Sequence, residues 1–156
     1  MDGDENSRAR AVADLAEGLI LATVEIGAPP ERVFGALASE EIVDWWVQPG
    51  VLDTREWAGD LRVGGHWRAS GTFEGEPWVL EGEFLEVDRP HHLMHTFGVG
   101  TPWGPTTVTY RLEGIDGGTR VTFRQAGFTS REQCAGFQLG WESSFQRLGE
   151  RLAAKL

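Results

Sequence analysis

The chain has 156 residues and a mass of 17.2 kDa, the length of one domain, and can bury a core without disulfide or metal. Its net charge of −10 repels phosphate backbones and anionic headgroups, which argues against nucleic-acid binding and electrostatic membrane docking. A lone cysteine, Cys134, excludes an intrachain disulfide. No apolar run approaches the roughly 18 residues of a spanning helix, and the acidic Met1-Asp2-Gly3-Asp4-Glu5-Asn6 is unlike a signal peptide, so a soluble cytoplasmic protein is expected.

Residues 1–7 are polar and expected to be disordered. Val12, Leu15 and Leu19 then recur at helical spacing, so residues 8–17 are expected to form a short helix, and residues 1–18 a flexible or partly helical extension before a domain of residues 19–156. Ile20, Ala22, Val24 and Ile26 alternate as a strand that ends at Ala28-Pro29-Pro30. Pro30 suits the first turn of a helix carrying Val33, Phe34 and Leu37, and Ser39 is a candidate N-cap for a second short helix reaching Trp45-Trp46.

Beyond Pro49-Gly50 the period changes to two. Strands are expected at 54–57, 66–72, 78–87, 93–99, 106–112 and 119–126. They are separated by Gly64-Gly65, Glu74-Gly75, Asp88-Arg89-Pro90, the 98–105 connection and Asp116-Gly117-Gly118. Thr106, Val108, Tyr110 and Leu112 share one face. The chain closes with a long helix, capped by Thr129 or Ser130, whose stripe is Cys134, Phe137, Trp141, Phe145, Leu148 and Leu152. Gly136, Gly140 and Ser144 form a row of small residues on it, suited either to helix–sheet packing or to the close approach of a ligand.

Consecutive hairpins and an amphipathic terminal helix give an α+β fold, an antiparallel sheet covered on one face. A curved sheet gripping a helix leaves a gap between them, where a small apolar molecule fits. Seven tryptophans supply aromatic walls for such a gap. The residues singled out as ligand-binding are Trp67, Trp78, His95, Phe97, Trp103, Tyr110, Phe137 and Trp141, with Trp45 and Trp46 as further aromatic candidates and core packing as the competing reading for each.

Chemistry-bearing patterns are sparse. His91 and His95 share a strand face but lie roughly 13 Å apart, too far for one metal. His66 is expected to face away from Trp67, whereas His95 shares the face of Leu93 and Phe97. No metal or cofactor is expected, and Cys134 reads as a buried small hydrophobe. Residues 74–88 hold six acids (Glu74, Glu76, Glu81, Glu83, Glu86 and Asp88) and no base, which reads as a solvated face or a surface for a basic partner.

Several stretches are similar to START-like (SRPBCC) domains, and more narrowly to the branch named after the activator of the heat-shock chaperone ATPase. They are the 24–34 stretch, Val24-Glu25-Ile26 through Val33-Phe34; Trp45-Trp46 with Pro49-Gly50; Asp60-Leu61-Arg62-Val63-Gly64-Gly65-His66-Trp67-Arg68; the 82–93 stretch from Gly82 to Leu93; Gly117-Gly118-Thr119-Arg120-Val121; and Gly140-Trp141-Glu142 with Leu148. The resemblance implies a helix-grip fold, a sheet of about six to seven strands gripping the C-terminal helix with two short helices after the first strand. It implies a small hydrophobic ligand, aromatic or lipid-like, in the gap. The alternatives are a polyketide aromatase or cyclase using His95, Arg68 or Tyr110, and a stress-related co-chaperone module with a chaperone partner. Monomer and homodimer both remain open.

Overall fold

The computed structural model describes residues 8–153, so the disorder expected of residues 1–7 lies outside the described residues. The elements in chain order are β1 (Arg10–Asp14), β2 (Leu19–Ile26), α1 (Pro30–Leu37), α2 (Ile42–Trp45), β3 (Leu52–Gly59), β4 (His66–Phe73), β5 (Glu76–Asp88), β6 (His92–Phe97), β7 (Thr106–Ile115), β8 (Gly118–Ala126) and α3 (Arg131–Ala153). The eight strands form one antiparallel sheet in the order β1-β2-β8-β7-β6-β5-β4-β3. With the long helix on one face, this is the helix-grip arrangement, one strand larger than expected.

The extra strand corrects the sequence reading. Residues 8–17 do not form a helix: Arg10–Asp14 pairs with β2, from Arg10 opposite Thr23 to Asp14 opposite Leu19. Val12, counted there as apolar helix face, points outward at 62% exposure, while Ala9 and Ala11 are buried. The inward residues are alanines, which favour helices in isolation, and tertiary pairing overrides that preference. Asp14 accepts from the Glu17 amide at 3.1 Å, and Gly18 at a φ of 66° completes the turn into β2.

The concave face carries the expected alternation. Ile20, Ala22, Val24 and Ile26 of β2 and Thr106, Val108, Tyr110 and Leu112 of β7 are all buried. Register shifts between Thr54 and Glu56 and between Phe84 and Glu86 are bulges in β3 and β5, features that bend the strands around the helix. α3 lies along β1 and β2. Ser130 Oγ accepts the Gln133 amide at 3.2 Å, so Ser130 is the cap.

The second short helix is only Ile42–Trp45. Ser39 Oγ accepts from the Glu41 amide within the preceding turn and does not cap the helix itself. Glu41 takes a two-pronged bond from Arg32 at 2.8 and 2.9 Å, and Arg151 approaches Glu41 and Asp44, which ties α1 and α2 to the end of α3. The Arg32 guanidinium holds the Glu41 carboxyl below its ordinary range. Among the described residues no helix is long and apolar enough to cross a membrane.

Candidate functional site

The gap between α3 and the sheet is filled at one end and open at the other. Over the second half of α3, Trp45 packs against Phe145 at 5.6 Å between ring centres, and Phe145 packs on Phe123 at 5.1 Å. Over the first half lies a cavity of about 410 Å³. The helix contributes Gln133, Gly136, Phe137, Gly140, Trp141 and Ser144, whose spacing of three and one is a single helical face. Trp78 and Leu80 of β5, Phe73 at the end of β4, and Leu52 and Thr54 of β3 form the opposite wall. Trp46, Gln48, Phe97, Thr101 and Trp103 close the remaining sides, and Val79 stands at the edge.

The glycines of this face open onto space. A Cβ at Gly136 would meet nothing within 4 Å, and one at Gly140 only Gln48 Oε1 at 3.9 Å. The small-residue row therefore borders the cavity and is not a helix–sheet packing seam.

A buried polar chain sets the floor. Trp141 Nε1 donates to Gln125 Oε1 at 2.7 Å, Gln125 Nε2 donates to Thr106 Oγ1 at 2.9 Å, and that hydroxyl donates to the Phe97 carbonyl at 2.9 Å. Every link is satisfied, so the Trp141 ring is held in one orientation. Thr54 Oγ1 donates to the Trp46 carbonyl at 2.7 Å, and Thr101 Oγ1 to the Gly98 carbonyl at 2.6 Å. The indole nitrogens of Trp46 and Trp78 are buried and have no acceptor among the described residues. Among the described residues no side chain of the lining is ionisable.

Of the eight residues singled out by sequence, Trp78, Phe97, Trp103, Phe137 and Trp141 line the cavity. Trp67, His95 and Tyr110 do not: they pack solidly beneath it. Trp67 lies over Gly82, where any side chain would collide with its ring, and donates Nε1 to the Thr96 carbonyl at 3.2 Å. His95, 4% exposed, sits within 5.4 Å of Trp67, 5.9 Å of Phe84 and 6.1 Å of Tyr110 between ring centres. Its Nδ1 donates to the Thr96 carbonyl at 2.8 Å, and burial lowers its pKa to about 4, so the ring is neutral. Burial pushes the Tyr110 hydroxyl well above its ordinary range, and that hydroxyl has no partner among the described residues.

Arg68 stands on the other face of β4, 3.5 Å from Glu81. Cys134 is buried, its thiol facing the Leu19 carbonyl at 3.8 Å. Among the described residues no three metal-ligating side chains converge.

Gln48, Leu52, Thr54, Phe73, Leu80 and Thr101 also line the cavity and were not anticipated. Leu80 was within reach of sequence reasoning, because it shares the period-two face of Trp78. Gln48 and Thr101 sit in irregular connections, where no periodicity marks an inward side chain.

The family model described as Activator of Hsp90 ATPase homolog 1-like protein matches residues 27–153. A comparison with curated proteins finds no match. Among solved structures, protein Ms6760 of Mycobacterium smegmatis is 25% identical, with 94% of this chain and 98% of that chain covered and a TM-score of 0.75. A Rhodobacter sphaeroides protein is 24% identical, with 94% and 99% covered and a TM-score of 0.78. CalU16 of Micromonospora echinospora is 23% identical, with 88% and 77% covered and a TM-score of 0.63.

Proposed function

The chain belongs to the family of Activator of Hsp90 ATPase homolog 1-like proteins, and from that premise we propose that it binds a small hydrophobic molecule, aromatic or lipid-like, between the sheet and α3. One observation carries the reading: a cavity of about 410 Å³ walled by aromatic and aliphatic side chains, with helix glycines facing its space. Cavities of this size and lining bury most of a small ligand's surface. Leaving such space beside an aromatic core costs dispersion contacts, which a ligand restores.

The enzymatic alternative needs His95, Arg68 or Tyr110 at the cavity wall, and none of them is among the lining residues. The interaction alternative would use the acidic residues of β5, of which Glu81 already lies 3.5 Å from Arg68 and Glu86 lies 3.0 Å from His92. The binding reading stands ahead of both.

The test is titration with the neutral fluorescent probe N-phenyl-1-naphthylamine. The wild type is expected to bind it with a rise in emission. Gly140→Leu is expected to abolish binding while the melting temperature stays level or rises, because leucine is the better helix former. Undiminished binding by a folded Gly140→Leu protein would place the probe elsewhere and defeat the proposal.

A further inference from the structure

Five indole N–H groups can be followed through the core. Those of Trp45, Trp67 and Trp141 each have an acceptor: the Ala36 carbonyl at 2.8 Å, the Thr96 carbonyl at 3.2 Å and Gln125 Oε1 at 2.7 Å. The two without one among the described residues, on Trp46 and Trp78, belong to rings that line the cavity. Buried donors are almost always paired, so two orphans bordering one cavity point to an acceptor that arrives with a ligand. The hydroxyls of Thr54 and Thr101 already donate to backbone carbonyls.

The second observation concerns charge. The protein carries a net charge of −10, yet among the described residues the lining holds no acid and no base. A carboxylate or phosphate drawn into it would lose its hydration with no cation to replace it, and an ammonium would find no carboxylate.

We infer that the cavity takes an uncharged, largely apolar molecule bearing a hydrogen-bond acceptor oxygen, such as a ketone, ester or ether, and that the indole N–H groups of Trp46 and Trp78 bind that oxygen. This rests on the reading that the cavity holds a hydrophobic ligand, and adds its chemical class. Trp46 is 5% exposed, so its donor is cut off from water. Its ring already borders the cavity. The acceptor then supplies the partner that this donor does not find among the described residues.

The experiment is calorimetric titration with three matched probes: 2-acetylnaphthalene (a neutral ketone), 2-isopropylnaphthalene (its hydrocarbon shape) and 2-naphthoate (an anion). Wild type, Trp46→Phe and Trp78→Phe are compared, since phenylalanine keeps an aromatic ring and deletes the donor. The expected result is a loss of about tenfold in ketone affinity in at least one variant, with hydrocarbon affinity changed by less than about threefold, and naphthoate the weakest ligand of the wild type. Hydrocarbon binding with no selective ketone loss in either folded variant overturns the inference and leaves the cavity reading standing. Naphthoate binding as tightly as the ketone also overturns it. Failure of all three probes to bind the wild type removes the cavity reading itself. Trp78→Phe, on the half-buried β5 wall, keeps the test open if Trp46→Phe does not fold.

Discussion

The two halves of α3 are built from one continuous helical pattern, yet they face different environments. The second half buries Phe145, Leu148 and Leu152 against β2 and α2, and a Cβ added at its Gly149 would lie 3.7 Å from Val24. The first half presents Gly136 and Gly140 to open space. Glycine thus stands in two settings on one helix: at 149 a Cβ would already touch the sheet, and at 136 and 140 it would enter free volume. An apolar stripe places a helix over a sheet, but the side chains between the ridges decide whether the interface is solid or hollow.

The largest effect expected of this contrast comes from truncating one ring in each half. Phe145→Ala is expected to cost about 3–5 kcal/mol in urea unfolding, whereas Phe137→Ala, bordering the cavity, costs about 1–2 kcal/mol. Equal losses would erase the distinction between the halves.

A second effect of about 3 kcal/mol concerns the dry packing beneath the cavity. The His95 pKa falls from 6.5 to about 4 on folding, so the folded protein binds that proton less readily than the unfolded chain. The sign follows: stability is full above about pH 6.5 and drains away as pH falls toward 4. His95→Leu is expected to flatten that part of the stability profile. A profile unchanged by the substitution would mean that water reaches the imidazole and that the packing there is not dry.

Paired glycine substitutions sharpen the contrast further. Gly149→Leu is expected to cost about 1–3 kcal/mol by overpacking against β2, and Gly140→Leu nothing or a slight gain. The smallest expected effect, about 1 kcal/mol, is that of Glu142→Ala, which releases the Ala11 amide, with faster amide exchange at Ala11 as its signature.

Much of this architecture was legible from periodicity. Seven strands, the terminal helix, its Ser130 cap and the inward faces of β2, β6 and β7 follow from apolar alternation and turn residues, because those signals report the local backbone directly. β1 was not legible: Ala9 and Ala11 carry little hydrophobic weight, and their strand conformation depends on β2 and α3, which lie far away in sequence. The cavity was half legible. Trp78, Phe97, Trp103, Phe137 and Trp141 were chosen for size and face, but the same criteria chose Trp67, His95 and Tyr110, which the sheet packs solid. Nothing in a period-two pattern distinguishes a ring that borders a void from one that fills it.

The outer edge of β1 is closed in a way that bears on assembly. Gln146 Oε1 accepts the Ala9 amide at 2.9 Å, Glu142 Oε2 accepts the Ala11 amide at 3.0 Å, and Gln138 Nε2 donates to the Ala11 carbonyl at 2.8 Å. Four helical residues rise about 6 Å, close to the roughly 6.6 Å of two strand residues, so Gln146 and Glu142 keep step with Ala9 and Ala11, and Gln138, one turn earlier, reaches back to Ala11. A helix here serves as a selvedge, finishing the cloth so that no further thread joins on that side. The opposite border, β3, exposes Asp53, Arg55 and Glu56 along its length. Two copies of this chain that sought to extend the sheet by strand addition would meet hydrogen bonds already taken at one border and charge at the other.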